Sequence, residues 1–377
     1  MPPVRFTAPT PVVAIPVRNE AERIAACLHA LAGQQGARLA HAVLLLNNCT
    51  DATRDMLPAL APHLPFVVHG VERTYPAPLA HAGTARCEAM EIAASLAGPD
   101  GVILTTDADG TVAPDWLANT LAAFEEGADA VCGRALINPA DAALIPMHLH
   151  EDDRMETGYG MLLDRIHDLV DPDPHDPWPR HAEHSGASIA VSVVMWRRAG
   201  GLPPLPLGED RAFLKAVRRV DGVIRHAPDV LVTVSGRTLG RARGGMADTM
   251  ARRLLRQDDL LDESLEPALT CLRRARARAA LRRLRALPRM SGQWGVEMCG
   301  LAYQLDLPPA EVERMARAHF LGVAWDGLEQ ASPALVRVPV RRAELATHHR
   351  QARRVVRQLL ARRSATRTAH RHRQPVN

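Results

Sequence analysis

The feature that most restricts this chain is an alternation near its start: an apolar run, a polar break, one helix, then another apolar run. Residues 12–17 (VVAIPV) read as a buried strand. Asn19 and Glu22 have capping-box spacing, and Ile24, Leu28 and Leu31 then recur at helical intervals until Gly33. Val43 to Leu46 predicts the next strand, ending at Asn47-Asn48. Thr50-Asp51 predicts a cap for a helix through Met56 and Leu57 that Pro58 cuts. A strand over 65–69, a helix over 82–96 and a strand over 101–105 continue the pattern. Strands joined by single helices specify a parallel sheet with right-handed crossovers. The expected class is α/β, a mostly parallel sheet flanked by helices.

Open sheets of this kind bind ligands at the carboxyl ends of their strands. Three polar clusters fall there: Arg18-Asn19-Glu20, Asn47-Asn48 and Asp107-Ala108-Asp109. Two carboxylates one residue apart, following the apolar Val102-Ile103-Leu104, can converge on one hard cation. Such a cation takes oxygen ligands and keeps positions for water and phosphate. An acidic turn alone is a weak signal; the shared location of three clusters gives it weight.

Further along, Pro114 and Asp115 open a helix to about Glu126, and residues 128–132 read as a strand. Residues 139–183, rich in Asp, His and Pro, read as an irregular excursion over the site. A strand over 188–195, a helix over 210–220 and one or two strands over 223–235 follow, and then the Gly- and Arg-rich loop 236–245. Residues 248–263, 268–287, 292–305, 309–321 and 341–363 read as helices. This divides the chain into an α/β region over 1–247, an arginine-rich helical region over 248–363 and a disordered tail over 364–377.

Charge follows the same division. Residues 1–250 carry 21 Lys+Arg against 30 Asp+Glu, whereas residues 251–377 carry 25 against 12. The basic half suits something anionic, such as lipid headgroups, or simply solvated Arg-rich faces, which is the favoured reading. Nucleic acid is disfavoured, because stacking aromatics are nearly absent from these helices. Only 3% of residues are aromatic, so the core must be built from Ala, Leu and Val. No apolar run spans a bilayer, and the start of the chain lacks a signal-peptide pattern. The cysteines, Cys27, Cys49, Cys87, Cys132, Cys271 and Cys299, form no CxxC pair and read as small buried residues in a reducing, cytoplasmic setting, with contact at the inner membrane face left open.

Taken in order, several segments together resemble the family 2 glycosyltransferases of the GT-A fold. They are Pro16-Val17-Arg18-Asn19-Glu20, Leu46-Asn47-Asn48-Cys49-Thr50-Asp51-Ala52-Thr53, Asp107-Ala108-Asp109-Gly110, Pro114-Asp115-Trp116-Leu117, Ser185-Gly186-Ala187, Gly208-Glu209-Asp210 and Ser235-Gly236-Arg237. The resemblance spans residues 12–245 and stops before the C-terminal helices. It implies a GT-A-like sheet that binds a nucleotide-sugar donor with Mg²⁺ or Mn²⁺ and transfers a hexosyl group to an acceptor hydroxyl with inversion. The turn from Pro16 through Asn19 to Glu20 would contact the nucleoside, with Glu20 its polar partner. Asn47 stands where the family usually has a base-reading aspartate, which leaves UDP, GDP and dTDP donors open. Asp107 would touch ribose or metal, and Asp109 would ligate the metal. Asp210, beside Glu209, would act as general base. Arg237, with Arg241 and Arg243 in the following loop, would face the diphosphate; Arg86 fits either the diphosphate or a surface ion pair.

Two other readings remain. A non-catalytic scaffold could bind a partner or membrane through its basic helices, though retention of Asp109 and Asp210 disfavours it. A sugar-phosphate nucleotidyltransferase would need a Gly-rich basic loop after the first strand, where Pro16–Glu20 stands instead. His184 and His226 read as hydrogen-bonded structural residues, and Glu151-Asp152-Asp153 as a solvated charge run.

Overall fold

The computed structural model describes residues 9–237, 246–255 and 259–371. The chain divides into two compact units, one of residues 1–145 and 179–255 and the other of residues 146–178 and 256–377.

In the first unit, strands β1 (Pro11–Val17), β2 (His41–Asn47), β3 (Val67–Arg73) and β4 (Val102–Thr105) alternate with helices α1 (Ile24–Ala32), α2 (Thr53–Leu60) and α3 (Ala82–Ala97). Next come β5 (Thr111–Val112), α4 (Trp116–Glu125), β6 (Ala130–Ile137) and the short α5 (Pro139–Ala142). After α6 (Met147–Val170), which belongs to the second unit, the chain returns with β7 (Ile189–Ser192), α7 (Val193–Ala199), α8 (Glu209–Arg219), β8 (Ile224–Val234) and α9 (Met246–Leu255). Eight strands form one mixed sheet in the order β3-β2-β1-β4-β7-β6-β8-β5. The β3-β2-β1-β4 half is parallel, as the alternation predicts. β7 runs antiparallel to both β4 and β6, whereas β6 and β8 pair in parallel. The α/β class holds, as a mixed sheet flanked by helices.

The period of two along β1 explains how both sheet faces are covered. Val13, Ile15 and Val17 join Leu44, Leu46, Ile24, Leu28, Trp116 and Leu117 in one core. Val12 and Ala14 join Val43, Leu45, Ile103, Ala85, Ala89, Met90 and Phe213 in the other. Each fully buried Leu or Ile contributes about 1.5–3 kcal/mol. Alanines 85, 89 and 93 are wholly buried, which brings α3 close to the sheet. Trp116 is 1% exposed, and its indole N–H donates to Ser188 Oγ at 2.8 Å.

Local expectations shift in three places. Helix α1 starts at Ile24 with no side-chain cap, because Asn19 adopts φ 54° and turns its side chain elsewhere. Pro58 sits inside α2 instead of ending it. The 188–195 run is strand only to Ser192, whose hydroxyl accepts from Met195 N at 3.2 Å and starts α7.

The second unit holds α6 together with α10 (Ala268–Ala286), α11 (Gly292–Leu305), α12 (Pro309–Ala316), α13 (Leu321–Ala331) and α14 (Leu345–Arg371). The expected irregular excursion over 139–183 is corrected by α6, whose 24 residues bury Tyr159, Leu163 and Ile166 against Cys271, Ala352 and Val355. Apolar residues three or four apart supply that face, and the surrounding charges hid it in sequence. Asp152 and Glu156 of this helix pair with Arg342 at 2.8 and 2.6 Å. Within α10, Arg274 is 3% exposed, hydrogen-bonded to Glu266, Glu329 and the Leu335 carbonyl, so this arginine belongs to the core. The final helix continues past Ser364 to Arg371; residues 372–377 lie outside the described residues. No helix among the described residues is long and apolar enough to cross a membrane.

Candidate active site

The turns after β1 and β2 are built into one another. Asn19 Nδ2 donates to Thr50 Oγ1 at 3.2 Å, and Asn19 Oδ1 accepts from Thr50 N at 2.7 Å. Asp51 accepts from Ala21 N and Thr53 N, each at 3.1 Å. Asn19 and Asn48 hold left-handed φ values of 54° and 50°, which asparagine tolerates because its amide bonds locally. Pro16, half-buried, pairs in β1 with Leu45. Glu20 is delivered at 5% exposure, its backbone N–H donating to Thr53 Oγ1 at 2.8 Å. Asn47 ends β2 at 2% exposure. Its amide nitrogen donates to the His81 carbonyl at 3.2 Å, while its carbonyl oxygen is buried without a partner.

Two arginines draw the remaining polar residues into one cluster. Arg86 on α3 donates from Nη2 to Asp107 Oδ1 at 2.8 Å and from Nε to Glu209 Oε1 at 3.2 Å. Its Nη1 donates to Thr105 Oγ1 at 2.8 Å and to the Gly186 carbonyl at 2.9 Å. A Cβ on Gly186 would lie 2.7 Å from Arg86 Cζ, so this approach requires glycine. Arg237 grips Glu20 with both nitrogens, at 3.0 and 2.5 Å, and its Nη2 lies 3.1 Å from Asp109 Oδ2. The acidic turn is thus tied on one side to the first-strand turn and on the other to the start of α8.

Electrostatics follow from this packing. Burial and then the neighbouring Asp107 charge push the Asp109 carboxyl up to about 6, against the pull of Arg237. Glu209 and Asp210 face different partners: Glu209 meets Arg86, whereas Asp210 accepts from Gly186 N at 2.9 Å and Arg211 N at 2.7 Å. Asp210 therefore stands at the N-terminus of α8 beside the 185–187 segment.

The histidines behave as structural groups. His181 Nε2 lies 3.1 Å from the Cys132 carbonyl, and burial holds its ring down at about 4. His184 contacts His226 at 3.1 Å and Arg218 at 2.9 Å; burial, then Arg218, holds it at about 2. His81 caps α3 by accepting from Thr84 N at 3.2 Å. In the second unit His167, Glu266 and Cys271 come together, but both Glu266 oxygens already bind Arg274 and the Cys271 thiol donates to Leu163 O. That cluster reads as a salt-bridged core. Cys27, Cys132 and Cys271 are buried, as expected of the cysteines, but Cys299 is exposed.

Arg86 is the residue whose place the sequence left open. The signal was its spacing: it falls in register with the buried Met90, Ala93 and Ala97 on α3, where a surface ion pair does not belong. Arg241 and Arg243 lie outside the described residues.

Residues 12–176 match the glycosyl transferase family 2 description. No curated protein sequence matches the chain. Among solved structures, TarS 1–349 from S. aureus in complex with UDP-GlcNAc aligns at 15% identity and TM-score 0.44, covering 85% of this chain and 91% of that one. The mannosyltransferase PcManGT from Pyrobaculum calidifontis, in complex with GDP-Man and Mn²⁺, aligns at 18% identity and TM-score 0.44 over 86% of this chain and 88% of that one. Glucosyl-3-phosphoglycerate synthase from Mycobacterium tuberculosis, with Mg²⁺ and UDP, aligns at 14% identity and TM-score 0.40 over 67% and 82%. Likeness at this level bears on none of the residue roles.

Proposed function

We propose that this chain, a glycosyltransferase whose residues 12–176 belong to family 2, moves a hexosyl group from a nucleotide-sugar to an acceptor hydroxyl with inversion. The observation that carries the reading is the pair of arginine bridges, which join Asp107 to Glu209 beside Asp210 and Asp109 to Glu20. Residues from five separate segments meet there at the carboxyl ends of β1 and β4, where a donor is expected.

Asp107 and Asp109 fit a hard divalent cation: both offer carboxylate oxygens, their like charges repel one another, and Asp109 already attracts a cationic partner in Arg237. Mg²⁺ or Mn²⁺ held there would supply Lewis-acid neutralisation of the diphosphate. The chain's own residues do the rest. Asn47 turns an acceptor oxygen toward a base N–H, since its amide nitrogen is committed to His81. That chemistry suits UDP, GDP or dTDP donors, whose bases each carry a ring N–H. Glu20 and Pro16 border the nucleoside, with Asn19 holding their turn in shape.

Asp210 accepts the proton of the acceptor hydroxyl. The acceptor oxygen then bonds to the anomeric carbon from the face opposite the diphosphate, whose C–O bond breaks with its electron pair leaving on the nucleoside diphosphate. Arg237, whose side chain keeps 22% exposure, would meet that developing charge.

A donor screen tests the reading: hydrolysis of UDP-, GDP- and dTDP-sugars with and without Mn²⁺, followed by Asp210→Asn. We expect metal-dependent turnover of one donor class and a loss of about 10²–10⁴-fold in transfer for Asp210→Asn, with donor binding retained. Metal-independent or absent binding of every nucleoside diphosphate would favour a scaffold.

A further inference from the structure

The Arg237 guanidinium occupies an unusual place. It makes a two-bond fork to Glu20 and reaches Asp109 Oδ2 at 3.1 Å. The Glu20 and Asp109 side chains are only 6% and 15% exposed, and both carboxylates contact the Arg237 guanidinium. Charges that dry require a partner, and Arg237 supplies it. The backbone beneath is pinned: Gly236 N donates to Asp141 Oδ2 at 2.8 Å, and Arg237 N donates to Ser235 Oγ at 3.3 Å. Movement is therefore left to the side chain, which retains 22% exposure. The oxygen that Arg237 holds is one that a divalent ion needs.

We propose that Arg237 is a placeholder cation, which neutralises Asp109 in the free protein and gives up that contact when a divalent ion arrives with the donor. The inference rests on the reading of Asp107 and Asp109 as metal ligands. A divalent ion arriving alone would have to push the guanidinium off Asp109 while leaving it anchored nearby on Glu20, and two cations at that range repel. A diphosphate removes the conflict: its oxygens accept the freed guanidinium nitrogens and the ion together. Metal and nucleotide then bind with positive coupling, and Arg237 is the residue that produces it.

Mn²⁺ binding, read from the free-ion signal in electron paramagnetic resonance, tests this on the full chain with and without UDP or GDP. The wild type should bind Mn²⁺ at least about tenfold more tightly with its nucleoside diphosphate than without. Arg237→Gln should bind Mn²⁺ alone about tenfold more tightly than the wild type and lose most of the nucleotide enhancement. Arg237→Lys, which keeps a charge for Glu20 but no fork, should fall between them and serves if the Gln variant does not fold. Asp109→Asn should abolish binding in every background. If Arg237→Gln and Arg237→Lys bind Mn²⁺ alone no more tightly than the wild type while Asp109→Asn still abolishes binding, the placeholder role is wrong and the metal site stands. If Asp109→Asn leaves Mn²⁺ binding intact, the metal reading fails and the placeholder falls with it.

Discussion

Arg86 should be far more costly to remove than an arginine of a surface ion pair. Its side chain is 5% exposed and makes four hydrogen bonds, two of them to carboxylates. The carboxylates differ: Asp107 is 36% exposed and regains water when the arginine is gone, whereas Glu209 is 10% exposed and does not. Breaking a buried ion pair from one side costs about 3–5 kcal/mol, and most of that falls on Glu209. The Asp107 half, screened by solvent, is worth about 1 kcal/mol or less. Arg86→Met should therefore destabilise the chain by about 3–5 kcal/mol. Glu209→Gln alone leaves Arg86 facing Asp107 and should cost about 1–3 kcal/mol. The double variant removes both charges, so its loss should fall short of the sum by about 1–3 kcal/mol. Urea unfolding of the four proteins, followed by hydrogen exchange of the β4 amides, measures the cycle. Additivity within about 0.5 kcal/mol would show that Glu209 does not depend on Arg86.

Three further outcomes follow. Asp109, raised to about 6, binds its proton more tightly folded than unfolded, so its contribution to stability is present at low pH and lost as pH rises through about 6; Asp109→Asn should thus stabilise the free protein at pH 7, with the gain shrinking below pH 6 in thermal melts, and a pH-independent difference would refute it. Gly186→Ala should displace the Arg86 guanidinium, whose Cζ lies 2.7 Å from the added Cβ, and depress transfer while Asp210 remains in place; full activity would show that the Gly186–Arg86 contact is dispensable. The exposed Arg353, Arg354, Arg357, Arg362 and Arg363 stand on a helix whose Ala352 and Val355 are already buried, so the chain should stay in the supernatant with phosphatidylglycerol vesicles at about 0.15 M salt. Pelleting that the fivefold Arg→Gln variant abolishes would restore the membrane reading.

The parallel half of the sheet was legible because β1, β2 and β4 are buried on both faces and read as unbroken apolar runs. The antiparallel insertion of β7 was not, because no local pattern distinguishes the direction in which a short buried strand is laid down. The polar strand ends announced a site, but their partners lay far away in sequence: Arg237 is 217 residues from Glu20, and Arg86 is 123 from Glu209. Asn19 shows the opposite limit. Its residue type suggested a cap or a ligand contact, yet its side chain serves a neighbouring turn, which spacing alone cannot reveal. Helix α6 was missed because charged and Pro-rich flanks outweighed a sparse apolar stripe of Tyr159, Leu163 and Ile166.

That helix bears on how the protein can be dissected. The helical unit is discontinuous, borrowing residues 146–178 from the middle of the α/β sequence. A fragment ending near residue 247 would keep α6 but discard Cys271, Ala352 and Val355, the side chains that cover its apolar stripe. An aromatic and several aliphatic groups would then face water, inviting aggregation from a piece that looks complete on paper. Separating the two units cleanly would instead require excising 146–178 and splicing the cut ends, since the polypeptide threads from one unit to the other three times.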